Sequence, residues 1–403
     1  MRAVFLTQYF PPEVGAPQTR IAELAAGLRS RGHDIAVHTG FPHYPEGRIL
    51  PPYRNRPLLR ERAPDGVRIV RSAVLAAPNR GFAGRLASHL SLAGSALATA
   101  VASGPADVVV VESPPLFLAG AAVAYAALKR ARLVVHVADL WPQSAVELSA
   151  LRDRRLIAAA ERLEAWAYAH ADAIVVPTAG MESALERHPA ARGKVVRIGP
   201  AVDTARFAAP PPTDGGPPLR VLYAGTVGMA HGLETLVEAA RLAGPQLVEV
   251  TVAGQGAEWP QVAARVAADR VANVTLLGAV PSADVPALYA RADAGAVLLR
   301  DRRIFAGALP TKMLECLAAG RPLVLAARGE AAALVRETGA GVVVEPEDPD
   351  GLADAFRELA ADPARRGRMA ARARTAAAGF DRSAAVARWA ALLEALVAQR
   401  ARR

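Results

Sequence analysis

The chain lacks several features that would place it in a familiar class, and each absence narrows the reading. Cys316 is its single cysteine, so no internal disulfide can form. Residues Met1 to Pro11 lack the long apolar run of a secretory signal, and both facts point to the cytoplasm. Aromatic residues make up only 5% of the chain, and no zinc-finger spacing, homeodomain-like helix set or aromatic RNA-binding stripe accompanies its charge. Nucleic acid is therefore set aside as a partner. No G-x-x-x-x-G-K-S/T loop occurs. Neither Gly254/Gly256 nor Gly225/Gly228/Gly232 has the G-x-G-x-x-G spacing, so a kinase, an ATPase and a simple dehydrogenase are unfavoured. No His, Cys and carboxylate cluster has ligand spacing, and neither a metal nor a cofactor is expected.

What is present is a long, apolar, basic chain. At 403 residues it exceeds the roughly 250–300 at which one hydrophobic core stops growing, so two domains are expected. Hydrophobic residues make up 52%, but glycine, proline and charge recur too often for a polytopic membrane protein. The formal net charge of +10 is concentrated in the first 200 residues, which hold 24 Lys/Arg against 16 Asp/Glu. That bias suits an anionic membrane surface or acidic ligand, and scattered arginines on a solvated face explain it equally well.

Short β-branched runs alternate with Ala/Leu helical patterns, as in a parallel sheet covered on both faces. The runs in the first half are Ala3–Leu6, Ile35–Thr39, Val67–Val70, Val108–Val111, Leu133–Val137, Ala173–Val176 and Val195–Ile198. Residues Ala208 to Pro218 hold five prolines and two glycines and can continue neither helix nor central strand. The pattern restarts at Arg220–Ala224, Glu249–Ala253, Val274–Leu277, Ala294–Leu299, Pro322–Leu325 and Gly341–Val344. The expected division is a domain over 1–207, a linker over 208–218, a second domain over 219–381, and a final helix within 382–403.

Three loops fall just past strand ends, where open parallel sheets bind ligands. The first, Phe10 to Pro17, precedes a helix with Ile21, Leu24 and Leu28 on one face, and Gly15 there can let backbone approach a phosphate. An ordinary strand–turn–helix corner is the competing reading. The second, Thr226 to Gly232, precedes a helix at Leu233–Ala240, and its His231 can donate to a phosphate or merely cap the helix. The third, Pro310 to Pro322, places Thr311 and Lys312 in a first helical turn with Glu315 one turn later. Amides and an ammonium there can hold a diphosphate while the carboxylate accepts ribose hydroxyls. From spacing alone, a solvated Lys312–Glu315 pair competes with this.

These segments together carry a resemblance. Thr7–Gly47, DLWPQS at Asp139–Ser144, LYAGTVGMAHGLETLVEAA at Leu222–Ala240 and LPTKMLECLAAGRPLV at Leu309–Val324 resemble glycosyltransferase family 4, and in particular its WbuB-like bacterial polysaccharide branch. The resemblance implies the GT-B fold, an α/β architecture of two Rossmann-like, doubly wound parallel-sheet domains facing a cleft. The acceptor lies on the N-terminal side and the nucleotide on the C-terminal side. It implies a retaining, metal-independent hexosyltransferase-type enzyme for a nucleotide diphosphate sugar, UDP-linked favoured, in glycan or glycoconjugate biosynthesis. Carried over by position, Glu315 binds ribose, Lys312 with Pro310 and Thr311 binds the diphosphate, and Gly15 approaches the β-phosphate.

The chain also departs from the family. The sugar-contacting glutamate expected eight positions before Glu315 is replaced by Gly307, and Thr226 and His231 stand where family members commonly have Arg and Lys. Phosphate charge then falls on Lys312, helped by Arg300 or Arg303, with Thr226, Gly228 and His231 contributing from their loop. Ala138 stands where a pocket histidine is frequent. Asp139 is the choice for a sugar or acceptor contact, His136 is read as a satisfied core or strand-end histidine, and Arg20 and Tyr44 as acceptor-side residues. Phe82–Ser103 and Leu116–Leu128, flanked by Arg80, Arg85, Lys129 and Arg130, read as helices packed on the sheet, with monotopic docking near a lipid-linked acceptor at the membrane's inner face as the alternative. An epimerase-like GT-B enzyme and a catalytically idle nucleotide-sugar binding protein are the alternative functions.

Overall fold

The computed structural model of the chain describes all residues except 14, 45, 78–81, 148–150, 209–215 and 402–403. Arg80 and most of the Pro/Gly-rich linker stretch lie outside the described residues. The fold comprises two compact units, Met1–Gly199 with Ala385–Arg403, and Pro200–Ala384.

The first unit is built on strands β1 (Arg2–Leu6), β2 (Asp34–Gly40), β3 (Leu58–Arg62), β4 (Arg68–Ser72), β5 (Val108–Ser113), β6 (Arg132–Val137), β7 (Ala173–Val176) and β8 (Val195–Arg197). Their order in the sheet is β3-β4-β2-β1-β5-β6-β7-β8, and all neighbours are parallel except β3 with β4. Every residue of β5 is buried, because helices cover both faces, and this is why VVVV reads as an unbroken apolar run. Strand β3, with sequence LLRER, has no such signal and was not expected. It is an antiparallel edge strand that exposes part of each face.

The second unit contains β9 (Leu219–Ala224), β10 (Val248–Ala253), β11 (Val274–Gly278), β12 (Ala294–Leu298), β13 (Leu323–Ala326) and β14 (Gly341–Val344), all parallel, in the order β11-β10-β9-β12-β13-β14. The strand order reverses between β1 and β5 in one unit and between β9 and β12 in the other. Open sheets receive ligands outside the carboxyl ends of strands at such a reversal.

The boundary between units falls at Gly199/Pro200, earlier than the proline-rich stretch. Val202 pairs with Asp381, and Val202 and Phe207 are buried with Leu222, Tyr289 and Leu317, which ties residues 200–207 to the second unit. In the final helix, Arg382–Ala401, the side chains of Val386, Trp389, Ala390 and Leu393 are buried with Ile21, Leu24, Leu28 and Val134 of the first unit.

Candidate functional site

In the second unit the loop after β9 is held by close backbone contact. A Cβ on Gly254 would lie 1.8 Å from the Gly225 carbonyl oxygen, and one on Gly256 would lie 2.2 Å from that of Val227. Only glycine permits this approach, and the Gly225 and Val227 amides donate to Ala253 and Gln255 across it. Gly225 itself has φ +148°, and a Cβ there would lie 2.8 Å from Lys312 Cε. The loop ends at Gly232, left-handed at φ +59°, which starts the helix Leu233–Ala243 without a side-chain cap. Gly228 accepts from the His231 amide, and Thr226 is exposed at the rim.

Lys312 lies in the helix Thr311–Ala318, which Pro310 initiates with a fixed φ and no side-chain cap, so the first-turn amides of Thr311 and Lys312 are not occupied by a capping side chain. The ammonium is not a solvated surface group. Lys312 Nζ donates to Tyr223 Oη at 2.5 Å and to His231 Nε2 at 3.3 Å. Tyr223 in turn donates its hydroxyl proton to the Thr226 carbonyl at 2.6 Å. His231 Nδ1 is 3.1 Å from the Leu298 carbonyl, which can only accept, so Nδ1 carries the proton and Nε2 faces the ammonium as a lone pair. Burial and the Lys312 charge push His231 down to about 3, keeping it neutral. Burial also pulls Lys312 down to about 7, against the opposing charge of Glu315 one turn later on the same helix. Glu315 is half-buried.

Arg300 takes a different place from the one expected of it. Its guanidinium meets Glu234 at 2.6 Å, Glu258 at 3.1 Å and Glu347 at 3.2 Å, and its Nε donates to the Met229 carbonyl at 2.9 Å. Three carboxylates compensate its charge, so Arg300 holds the Thr226–Gly232 loop in place rather than offering a free cation to a phosphate. Arg303 is exposed at the start of the 3₁₀ turn Arg303–Gly307. Cys316 is buried and pushed up to about 12, which keeps it an inert thiol.

In the first unit Gly15 begins the helix Ala16–Ser30 with extended backbone, again uncapped by a side chain. A side chain there would meet Gln18, whose Oε1 lies 2.5 Å from the position of an added Cβ. Gln18 is buried, and this oxygen has no hydrogen-bond partner. Glu13, buried two residues before Gly15, accepts from the amides of Phe10, His43 and Tyr44, joining the loops after β1 and β2. Tyr44 is half-buried, with its ring centroid 5.2 Å from that of Tyr9. Arg20 is ion-paired with Glu112, a buried residue near the end of β5 that also accepts from Thr7 at 3.1 Å. Asp139 follows β6, half-buried, with its carboxyl raised by burial and opposed by Ser144. His136 is a core residue as expected, edge-on to Trp389 at 5.5 Å, but it is not satisfied, because its Nδ1 has no partner. Burial keeps it neutral.

Sequence reasoning did not single out Glu13, Gln18, Glu112 or Tyr223, and weighed Gly225 only for a dinucleotide spacing that it lacks. Glu13 and Gln18 lie within the PPEVGAPQTR segment that drew attention to Gly15, and Tyr223 lies beside Gly225 at the end of β9, so proximity to a recognised loop was the available signal.

Comparison with known proteins gives a consistent result for the two halves. Residues 15–201 match the glycosyl transferase 4-like domain, and residues 218–362 match glycosyl transferases group 1. The chain is 30% identical over 222 residues to glycogen synthase of Mycobacterium tuberculosis, covering 53% of this chain and 51% of that protein. The match therefore spans about half the length of that curated relative. Sucrose-phosphate synthase from Thermosynechococcus elongatus has the same fold, with a TM-score of 0.78 at 18% identity over 99% of this chain and 100% of that one. Anabaena HepE, solved in complex with UDP-glucose, superposes with a TM-score of 0.71 at 17% identity over 98% and 100% of the two chains. These likenesses establish the GT-B architecture.

Proposed function

We propose that this chain, a glycosyltransferase of GT-B fold by its two domains and its architecture, moves a sugar from a nucleoside diphosphate sugar to an acceptor hydroxyl with retention of configuration. The observation that carries the reading is the Lys312 ammonium. It is held by two neutral acceptors, Tyr223 Oη and His231 Nε2, beside the uncapped amides of Thr311 and Lys312, with Glu315 one turn on. Such a set offers a cation and two N–H groups to a diphosphate and a carboxylate to two vicinal hydroxyls, which is the chemistry of a nucleoside diphosphate. The match to glycosyl transferases group 1 over this unit supports it, and the UDP-glucose complex of HepE favours a uridine donor.

In the proposed step the bond from the anomeric carbon to the diphosphate oxygen breaks and a bond to the acceptor oxygen forms on the same face. The acceptor proton passes to the departing phosphate oxygen. Lys312 and the first-turn amides stabilise the charge that develops there, and positioning supplies the rest, with no protein nucleophile and no metal. Thr226 and Gly228 are assigned to the donor loop. Gly15, through its uncapped helix start, is assigned to the β-phosphate, Asp139 to a sugar or acceptor hydroxyl, and Arg20 and Tyr44 to the acceptor side. The proposed setting is glycan or glycoconjugate synthesis of the WbuB-like kind, in the cytoplasm at the inner face of the membrane.

Thermal unfolding in the presence of UDP tests the donor site. A ligand at about 100 times its Kd adds roughly 2.7 kcal/mol to stability. UDP is expected to raise the melting temperature of the wild type and to leave that of Glu315→Ala unchanged. An equal rise in both proteins removes Glu315 from the site.

A further inference from the structure

We propose that the first unit docks on an anionic phospholipid surface, placing the apolar outer face of the helix Phe82–Ala102 against the bilayer and seating lipid phosphates in an arginine-lined groove at that helix's end. This deepens the membrane setting proposed above and uses none of the residues assigned to the donor, of which Lys312 and Glu315 belong to the other unit.

The helix exposes Leu90, Gly94, Leu97, Ala98 and Val101, at intervals that keep them on one side, and none carries a polar group. The helix's own hydroxyls are turned away from that side. Ser91 and Ser95 donate to the carbonyls of Ser88 and Ala73, and Thr99 to that of Ser95. The exposure is large where water would ordinarily exclude it, at 49% for Leu90 and 72% for Val101. Leu75, 56% exposed, lies beside this helix, its amide donating to Ser91 Oγ. The neighbouring helix Leu116–Lys129 exposes Ala124, Ala127 and Leu128, and its Lys129 Nζ reaches the Ser103 carbonyl at 2.6 Å, joining the two helices at this end.

At the same end the groove begins. It encloses about 570 Å³ between Ser103–Pro105, strand β2 at Ala36 and His38, and Arg60, Arg62 and Arg68 on β3 and β4. Of its charged neighbours, Glu61 is engaged by Arg71, and Asp34 pairs with Arg68 at 2.9 Å. Arg68 Nε is buried without a hydrogen-bond partner. His38 in the groove wall is pushed down to about 3, chiefly by burial, with the charges of Arg68, Lys129 and Arg60 adding to it. Among the described residues no helix is long and apolar enough to cross a membrane, so the face would lie on the bilayer and not span it. An apolar face edged by cations matches the two layers of an anionic membrane, acyl chain beside phosphate.

Flotation of the whole protein with vesicles tests this, comparing phosphatidylcholine alone with phosphatidylcholine containing phosphatidylglycerol. The wild type is expected to float with the anionic vesicles, to remain below with neutral ones, and to be released by salt. Arg60→Glu with Arg62→Glu, and separately Leu97→Glu with Val101→Glu, should each weaken binding at least about tenfold. The UDP-induced thermal shift should persist in both, showing that they fold. Binding to neither vesicle overturns the proposal, as does equal binding to both or binding that survives either pair of changes. A wild-type dimer that the Leu97/Val101 pair disrupts, without vesicle binding, assigns the face to a second copy instead. Failure of UDP to shift even the wild type would count against the donor site alone and leave the flotation result standing.

Discussion

Lys312 Nζ lies 2.5 Å from Tyr223 Oη, although the two residues are 89 positions apart, and the tyrosine passes the contact on by donating to the Thr226 carbonyl. Tyr223 thus fixes both the ammonium and the loop that edges it. It acts as a positioning residue, and Tyr223→Phe isolates that role by keeping the buried ring and removing only the oxygen. A hydrogen bond to a charged group contributes about 1.5–3 kcal/mol, so UDP affinity should fall roughly tenfold or more. Titration calorimetry is the measurement. Unchanged affinity would show that the ammonium is placed without the tyrosine.

Donor binding should depend on pH through Lys312. Its pKa in the free protein is pulled down to about 7 by burial, so a diphosphate finds the lysine charged below that value and increasingly neutral above it. A bound diphosphate restores the higher pKa, so the complex takes up a proton. Affinity for UDP is then full below pH 7 and falls above it by up to about tenfold per unit. The second phosphate ionisation, near pH 6, is complete in that range and does not oppose the trend. Calorimetry at pH 8 in buffers of different ionisation enthalpy should register proton uptake, and Lys312→Met should abolish it. A flat profile from pH 7 to 9 would remove Lys312 from the diphosphate.

Much of this was legible in the sequence, and the remainder failed for identifiable reasons. Six runs after the linker correspond to β9–β14, because the inward positions of parallel strands are apolar, at every residue in the fully buried β12 and β13, while Arg220, Glu249 and Thr275 fall at partly or fully exposed positions. The helix at Thr311 was visible from PTKMLE, since Pro310 and the apolar spacing of Met313, Leu314 and Leu317 fix its start and buried face. Strand β3 was missed because an antiparallel edge needs no apolar alternation. Arg300 was misjudged because Glu234, Glu258 and Glu347 come from three separate stretches of chain, which no local pattern reveals. The same limit hid Tyr223 behind Lys312 and Glu112 behind Arg20.

The glycine contacts beneath the donor loop give a steric prediction. Gly254→Ala would put a methyl group 1.8 Å from the Gly225 oxygen, a backbone atom that cannot swing aside, at a φ of +150° that side chains rarely adopt. The loop must shift, and Gly225 shifts with it from its place against Lys312. A stability loss of about 2–4 kcal/mol is expected, with loss of UDP binding in the surviving fold. Gly244→Ala is the control, since its added Cβ meets nothing while its φ of +84° carries a similar backbone cost. Equal losses in both variants would show that backbone strain alone, and not the loop contact, accounts for the effect.

Glu164 gives a prediction away from the donor site. It is buried in the helix Arg154–His170, accepts from Tyr168 at 3.0 Å, and burial raises its carboxyl to about 7 from an ordinary value of 4.5. A folded-state pKa above the unfolded one means that the native protein binds the proton more tightly. The protonated form therefore supports the fold fully below about pH 4.5, and the support is lost as pH rises through 7. Glu164→Gln keeps the carbonyl that Tyr168 donates to and removes the ionisation. The variant should match the wild type near pH 5 and exceed it at pH 8 by about 1–3 kcal/mol, read from urea unfolding. If the two unfolding curves coincide at both pH values, the carboxyl is ionised without penalty and the helix tolerates its charge.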